Sequence, residues 1–128
     1  MKPLLAAKLE RLSDVRYPVL ATPKLDGIRC LLWEGRALTR KLKPIPNRHI
    51  RQSLEAEASL DLDGELMIPG TDFNGVQSAV MSEDGKPDFR YVVFDAIRPD
   101  LSYVVSSLYL VFHACEIKLE RHIIWNAT

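Results

Sequence analysis

Ile28-Arg29-Cys30-Leu31-Leu32-Trp33-Glu34-Gly35-Arg36-Ala37-Leu38-Thr39-Arg40 is the stretch that decides the fold class. Ile28 to Trp33 reads as an apolar strand, Glu34-Gly35 as a two-residue turn, and Arg36 to Arg40 as the returning strand. A link that short can only join antiparallel neighbours. Downstream, Leu62 to Ile68 reads as a strand stopped by Pro69-Gly70, and Phe89 to Ile97 as another. Between them, Pro44-Ile45-Pro46-Asn47 is a rigid loop that launches a helix from about Arg48, with Ile50, Leu54 and Ala58 on one face. Asp72 caps a further helix over Phe73 to Met81, weakened by Gly75, and Ser82 to Pro87 is a polar loop. Upstream, residues 6–12 are expected to form a short helix ending near Ser13-Asp14. Val19 to Leu25 is expected to be a strand, interrupted by Pro23 and so lying at a rim or bulge. Hairpin spacing in place of βαβ spacing predicts an α+β fold, mainly antiparallel sheet with flanking helices.

The 128 residues suffice for one domain with a real core. Apolar residues make up 47% and charged residues 27%, a soluble, globular balance. Seventeen basic and 17 acidic residues cancel, so overall charge draws no polyanion to the chain. Their distribution is uneven: six bases and no acid lie from Arg36 to Arg51, against 11 acids and three bases from Glu55 to Asp100. Such a division suits a domain that meets polyphosphate or a nucleic-acid backbone on one side, and it equally suits two solvated faces. Cys30 and Cys115 make neither a disulfide framework nor a metal cluster. The first residues lack the apolar core of a signal peptide, and Leu101 to Cys115 falls short of the ~20 residues a membrane helix needs. An intracellular, cytoplasmic protein with no membrane partner is the expectation.

Just before the hairpin stands Ala21-Thr22-Pro23-Lys24-Leu25-Asp26-Gly27-Ile28-Arg29. A lysine, a carboxylate two residues on, a glycine and then an arginine form the pattern that covalent nucleotidyl transfer requires. An ordinary lysine is only ~0.04% neutral amine at pH 7. A nucleophilic one must have its charged form disfavoured by its surroundings or lose its proton on reaction. The other reading is an exposed lysine beside a turn, since Asp-Gly is a common hairpin signal.

Further along, Asp63 and Glu65 in Leu62-Asp63-Gly64-Glu65-Leu66 share a strand face, because side chains alternate. Two acids there suit ribose hydroxyls, a magnesium ion or both; an edge strand with its acids in solvent would look the same. Gly64 between them permits close approach of a ligand or another backbone. In Tyr91-Val92-Val93-Phe94-Asp95-Ala96-Ile97, strict alternation puts Val92, Phe94 and Ala96 on one face and Tyr91, Val93, Asp95 and Ile97 on the other. Phe94 is then a core residue or a platform for a purine base, a stack worth roughly 1–3 kcal/mol. Arg40 ends the hairpin inside the only basic block, and its fork matches phosphate.

Taken in order, these motifs resemble the small ATP-dependent DNA ligases of large DNA viruses and phages, within the covalent nucleotidyltransferase superfamily. Lys2-Pro3-Leu4-Leu5-Ala6 opens the chain as it does there. Residues 21–29 resemble the adenylylation motif, Thr39-Arg40 with Lys43-Pro44-Ile45 the second motif, and Asp63-Gly64-Glu65-Leu66 the third. Phe73 and Ser78-Ala79-Val80-Met81 follow, and Tyr91-Val92-Val93-Phe94-Asp95 resembles the aromatic motif. Order and separation agree over residues 2–97. The resemblance implies part of an ATP-grasp-like nucleotidyltransferase (DNA ligase adenylation) domain. It implies ATP as cofactor with Mg2+, nicked double-stranded DNA as partner, and a monomer. It makes Lys24 the nucleophile that becomes Lys-AMP, with Thr22 and Pro23 reading adenine, Arg29 and Glu65 binding ribose, and Phe94 stacking on the base. Arg40 would contact the nucleotide phosphate and later the nick 5′-phosphate. Asp26 would lie near the nick 3′-OH, and Lys41, Lys43 and Phe73 would touch DNA.

After Ile97 the motif series stops. The family's Glu-Gly motif, which supplies a metal-binding glutamate, and its Lys-x-Lys motif are not in place, nor is the C-terminal oligonucleotide-binding domain. Residues 1–97 are therefore expected to be the N-terminal part of an adenylation domain and residues 98–128 a tail that is either divergent or out of frame. Each lost electrostatic donor can cost ~10²–10³ in rate, so little ligation is expected from this chain alone. An RNA ligase or an mRNA capping guanylyltransferase shares the lysine motif; Thr22-Pro23 and Ser78-Ala79-Val80-Met81 favour the DNA ligase. A remnant that binds DNA or nothing is the non-enzymatic reading.

Overall fold

The computed structural model describes residues 3, 5, 7–18, 24–57, 60–97, 100 and 123–125, the last three by backbone alone. Its centre is the expected hairpin. Strand β1 (Ile28–Trp33) pairs antiparallel with β2 (Arg36–Thr39), from Cys30 opposite Thr39 to Trp33 opposite Arg36. Glu34 and Gly35 both take left-handed backbone, φ 50° and 76°, the pair of conformations that turns a two-residue hairpin with the right twist. Helix α1 (Arg48–Glu57) then carries the chain over to β3 (Leu62–Met67), which pairs antiparallel with β1 on its free side. Helix α2 (Phe73–Met81) follows, and β4 (Arg90–Ala96) pairs antiparallel with β3. A last strand, β5 (Ile123–Trp125), lies parallel to β4 and completes a five-stranded sheet in the order β2-β1-β3-β4-β5.

The core follows the alternation of the strands. Cys30 and Leu32 of β1, Leu62 and Leu66 of β3, and Tyr91 and Val93 of β4 form one cluster with Ile50 and Leu54 of α1 and Val76 and Val80 of α2. The helical pairs are spaced i, i+4, which sets them on one face. Fully burying each such aliphatic side chain is worth about 1.5–3 kcal/mol. On β3 the intervening residues Asp63 and Glu65 are only half-buried, as alternation predicts. Their shared face is therefore the side of the sheet turned away from the main core.

Gly64 is explained by that core. A side chain there would run into the Val92 carbonyl oxygen and the ring of Tyr91. The close approach anticipated for this glycine is thus to neighbouring protein. Tyr91 is itself buried, and its hydroxyl donates to the carbonyls of Cys30 at 2.9 Å and Leu62 at 3.3 Å. One ring accordingly ties β4 to both β1 and β3.

Three expectations need correction. Among the described residues of 6–12 there is no α-helix; only a 3-10 turn forms at Leu12–Asp14, while Leu5, Leu9 and Leu12 stay exposed. Among the described residues no buried cluster includes these leucines, and a segment this short is not helical by itself. Lys24 and Leu25 are not in a strand; Val19 to Pro23, like Ala58 of the α1 pattern, lie outside the described residues. Finally, the alternation of β4 breaks. Asp95 stands opposite Asp63 but Val93 opposite Gly64, so Phe94 is an extra residue in a bulge. Past the bulge Ala96 turns into the core, and Asp95, facing Asp63 across the ladder, joins the acidic face.

Candidate functional site

The loop that leads into β1 is held tightly against β3. A side chain at Gly27 would strike the Leu66 carbonyl oxygen, the Met67 sulfur and Glu65 Cγ. Only glycine lets this loop lie so close, and the nearby Gly27 N–H favours the charged form of the Glu65 carboxyl. Gly27, three residues after Lys24, thereby lies against the strand that carries the paired acids.

At the far end of the hairpin the chain makes a second tight turn. Leu42 N–H donates to the Thr39 carbonyl at 2.8 Å and Thr39 N–H to the Lys43 carbonyl at 2.7 Å. Leu42 adopts φ 61°, a left-handed conformation costly for a leucine. Pro44 bridges back to Leu38, and Ile45 N–H reaches the Ala37 carbonyl at 3.1 Å. Arg40, Lys41 and Lys43 are carried on this one constrained turn.

Both features border the same cleft, an open cavity of about 1170 Å³. Lys24, Arg29, Glu65 and Phe94 line it, as do Arg40, Lys41, Lys43 and Phe73. The expected site residues from five separate segments therefore converge. Asp26 is not among the lining residues, and Thr22 and Pro23 lie outside the described residues. Thr39 and Met81, quoted within the motifs but given no role, also face the cavity with Pro44 and Pro46, as does Gln77, which no motif contains. Gln77 lies one helical turn beyond Phe73, a spacing that could have identified it.

The cleft's electrostatics turn on Arg29. Its Nε donates to Asp63 Oδ1 at 2.8 Å and its Nη2 to Oδ2 at 2.6 Å, a two-pronged pair. The side chains are only 21% and 13% exposed, so this is not a solvent-screened surface contact. That hydrogen bonding outweighs burial and raises the Arg29 pKa, with the charges of Asp63 and Glu65 adding to it. The guanidinium carbon lies 5.3 Å from the centre of the Phe94 ring, within cation–π range. Glu65 sits opposite Arg29 in the register of β3 and β1. Burial pushes its carboxyl above the ordinary range, while the Gly27 N–H and the charges of Arg29 and Lys24 work against that rise.

The cleft walls at the start of α1 and after α2 are joined by a buried polar side chain together with two backbone bonds, Asn47 N–H to the Val80 carbonyl and Arg48 N–H to the Glu83 carbonyl, both at 3.0 Å. Asn47 is fully buried. Its Oδ1 accepts from Ile50 N–H at 2.9 Å, capping α1. Its Nδ2 lies within hydrogen-bond distance of the carbonyls of Ser82, Asp84 and Gly85, at 3.0, 3.2 and 3.3 Å. The start of α1, next to Pro44 and Pro46, is thereby latched to the loop after α2, next to Met81. No signal in the sequence beyond an asparagine ahead of a helix marks this role.

Among the described residues no three histidine, cysteine, aspartate or glutamate side chains converge as a metal site. Nor is any helix among them long and apolar enough to cross a membrane.

No protein-family model and no curated protein sequence matches the chain. Solved structures do. The Chlorella virus DNA ligase-adenylate is 35% identical, with a TM-score of 0.83 over 98% of this chain and 49% of its own. A Lig E DNA ligase is 23% identical, with a TM-score of 0.67 over 83% of this chain and 42% of its own. The ATP-dependent DNA ligase from bacteriophage T7, in complex with ATP, is 18% identical, with a TM-score of 0.53 over 83% of this chain and 46% of its own. The last two show a shared fold. This chain spans about half the length of the viral ligase it matches.

Proposed function

We propose that this chain, which is similar to a viral DNA ligase over about half of that enzyme's length, works as the nucleotide-binding part of an ATP-dependent DNA ligase, and that its cleft binds ATP and transfers AMP to Lys24. The observation that carries the reading is the convergence of Lys24 with Arg40, Glu65 and Phe94 on one cavity. Lys24 Nζ attacks the α-phosphorus. A P–N bond forms, the bond from that phosphorus to the bridging oxygen breaks, pyrophosphate leaves with the electron pair, and the amine gives up its proton. Phe94 stacks on adenine, which Thr22 and Pro23 read. Glu65 and Arg29 hold the ribose, and Arg40 neutralises charge on the phosphate, the dominant need in phosphoryl transfer.

Magnesium suits this site as an ion carried in by the triphosphate, since it is commonly held by substrate phosphates with few protein ligands. The half-buried Glu65 is the available carboxylate in the cleft wall. In a nick-sealing cycle the AMP would next pass to a DNA 5′-phosphate near Arg40, with Asp26 beside the 3′-OH that displaces it. Lys41, Lys43 and Phe73 would face the DNA. The Glu-Gly and Lys-x-Lys groups of a full-length ligase belong to a part that has no counterpart in residues 1–97, so adenylylation by this chain alone should be slow.

The test is to incubate the chain with Mg2+ and ATP or GTP labelled at the α-phosphate, beside Lys24→Ala. Acid-labile label from ATP, mapped to Lys24 and lost in the variant, is the expected result. Label from GTP alone would assign the site to a capping guanylyltransferase. To separate slow chemistry from none, the chain is also extended with the Glu-Gly and Lys-x-Lys segments of the viral ligase. An extended chain that still takes no label would refute the reading and leave a non-catalytic remnant.

A further inference from the structure

We propose that Asp63 is a positioning residue for the nucleotide cleft, acting through Arg29 to hold the ring of Phe94 in place. The proposal rests on the nucleotide reading above for its use, and on the geometry of three side chains for its substance.

Phe94 is the bulged residue of β4 and has no register partner on β3, whose Asp63 and Gly64 face Asp95 and Val93. A bulge re-aims a side chain and also removes it from the ladder that fixes its neighbours. A ring presented this way needs another restraint if it is to offer a set surface to a base. The Arg29 guanidinium, 5.3 Å from the ring centre, is placed to supply one. A free arginine would be a poor restraint, because its side chain carries about 2 kcal/mol of rotamer entropy. This one has its Nε and Nη2 bonded to the two oxygens of Asp63. Both partners are largely shielded from water. Asp63 itself grows from β3, directly across from Leu31 of β1 and Asp95 of β4. The relay thus runs from the rigid middle of the sheet, through a planar fork, to the one aromatic residue on this side of β4 that the ladder leaves loose. Asp63 does not line the cleft, whereas Arg29 and Phe94 do. It acts through them and touches no substrate.

This arrangement predicts a loss of preorganisation when Asp63 loses its charge, which weakens binding more than it slows chemistry at saturation. The experiment uses the full chain and two readouts. First, NMR follows the Arg29 Nε–H and Phe94 ring resonances without nucleotide. Asp63→Asn should move both, while signals of the buried Tyr91 and Val93 stay in place and report an intact fold. Arg29→Lys, which keeps the charge but not the fork, should move the Phe94 signals in the same way. The double variant should move them no further. Should Asp63→Asn fail to fold, Arg29→Lys carries the comparison. Second, ATP titration should show the dissociation constant rising by about tenfold in Asp63→Asn, with the rate of Lys24 labelling at saturating ATP little changed.

Phe94 resonances that do not respond to Asp63→Asn or Arg29→Lys would overturn the proposal. So would a double variant in which Asp63→Asn adds a further displacement, since Asp63 would then act by another route. Failure of the unaltered chain to bind ATP would refute the nucleotide reading, while displaced Phe94 signals would still support the relay itself.

Discussion

Replacing Asn47 tests whether one buried amide holds two walls of the cleft together. Asn47→Ala removes the α1 cap, which is worth about 1 kcal/mol, and strands the Ile50 N–H that it satisfies. It also removes the amide donors shared by the carbonyls of Ser82, Asp84 and Gly85. Two N–H groups can make about two full bonds, each worth roughly 1 kcal/mol net. The sum is about 3 kcal/mol, a large part of the 5–15 kcal/mol typical of a domain. In urea, with a slope of about 1.5 kcal/mol per molar, the midpoint should fall by about 2 M.

Asn47→Asp sharpens the test because it is nearly isosteric. Its carboxylate can still accept from Ile50 N–H but turns an acceptor towards the three carbonyls. At neutral pH it should be at least as unstable as the alanine variant. Burial among carbonyls raises the folded-state pKa of the new carboxyl above its unfolded value. The protonated form, which can donate again, therefore restores stability below the unfolded pKa of about 3.9, and that gain is lost as pH rises through the folded value. The assay is urea unfolding of the parent and both variants at neutral and acid pH, read as differences from the parent. A midpoint shift below about 0.5 M for Asn47→Ala, or an aspartate variant whose deficit ignores pH, would refute the latch.

Other outcomes follow from particular contacts. Gly64→Ala places a methyl against the Val92 carbonyl and the Tyr91 ring, so thermal unfolding should show a loss of about 1–3 kcal/mol, and an unchanged Tm would count against that packing. Burial holds the Glu65 carboxyl above its ordinary range, so the folded chain binds that proton more tightly than the unfolded one. The resulting stability is complete below the ordinary glutamate pKa and is lost as pH rises through the raised value. Glu65→Gln should flatten that decline in Tm, and parallel curves for parent and variant would contradict it. Cys30 is buried and its thiol pKa is pushed up, mainly by burial. In a Cys115→Ser background a thiol reagent should react with Cys30 about a hundredfold or more faster in urea than in the native chain; equal rates would place the thiol at the surface.

Much of the fold was legible because local chemistry and tertiary packing agree. The Glu34-Gly35 turn, the β1 boundaries and the Asp72 cap of α2 could be read from turn and cap residues alone, and all stand where expected. The likeness to viral-type DNA ligases was legible for a different reason. Lysine, arginine, paired acids and an aromatic in a set order are a statement about chemistry, and such statements survive without coordinates.

Where the reading failed, a non-local interaction decided. The leucines of the N-terminal segment have helical spacing, yet Leu5, Leu9 and Leu12 stay exposed and no α-helix forms among the described residues there. Alternation along β4 was read as unbroken because a bulge is set by how two strands pair, which one strand's sequence does not state. The sequence by itself determined which side chains carry the motif pattern on which the proposed nucleotidyl transfer rests, and which segments could be strands or helices. Only the tertiary structure decided that Asp63 grips Arg29, that Asn47 joins the cleft walls and that Gly64 yields space to Tyr91. Each of those contacts joins residues far apart in the chain, so its energy exists only once the sheet has brought them together.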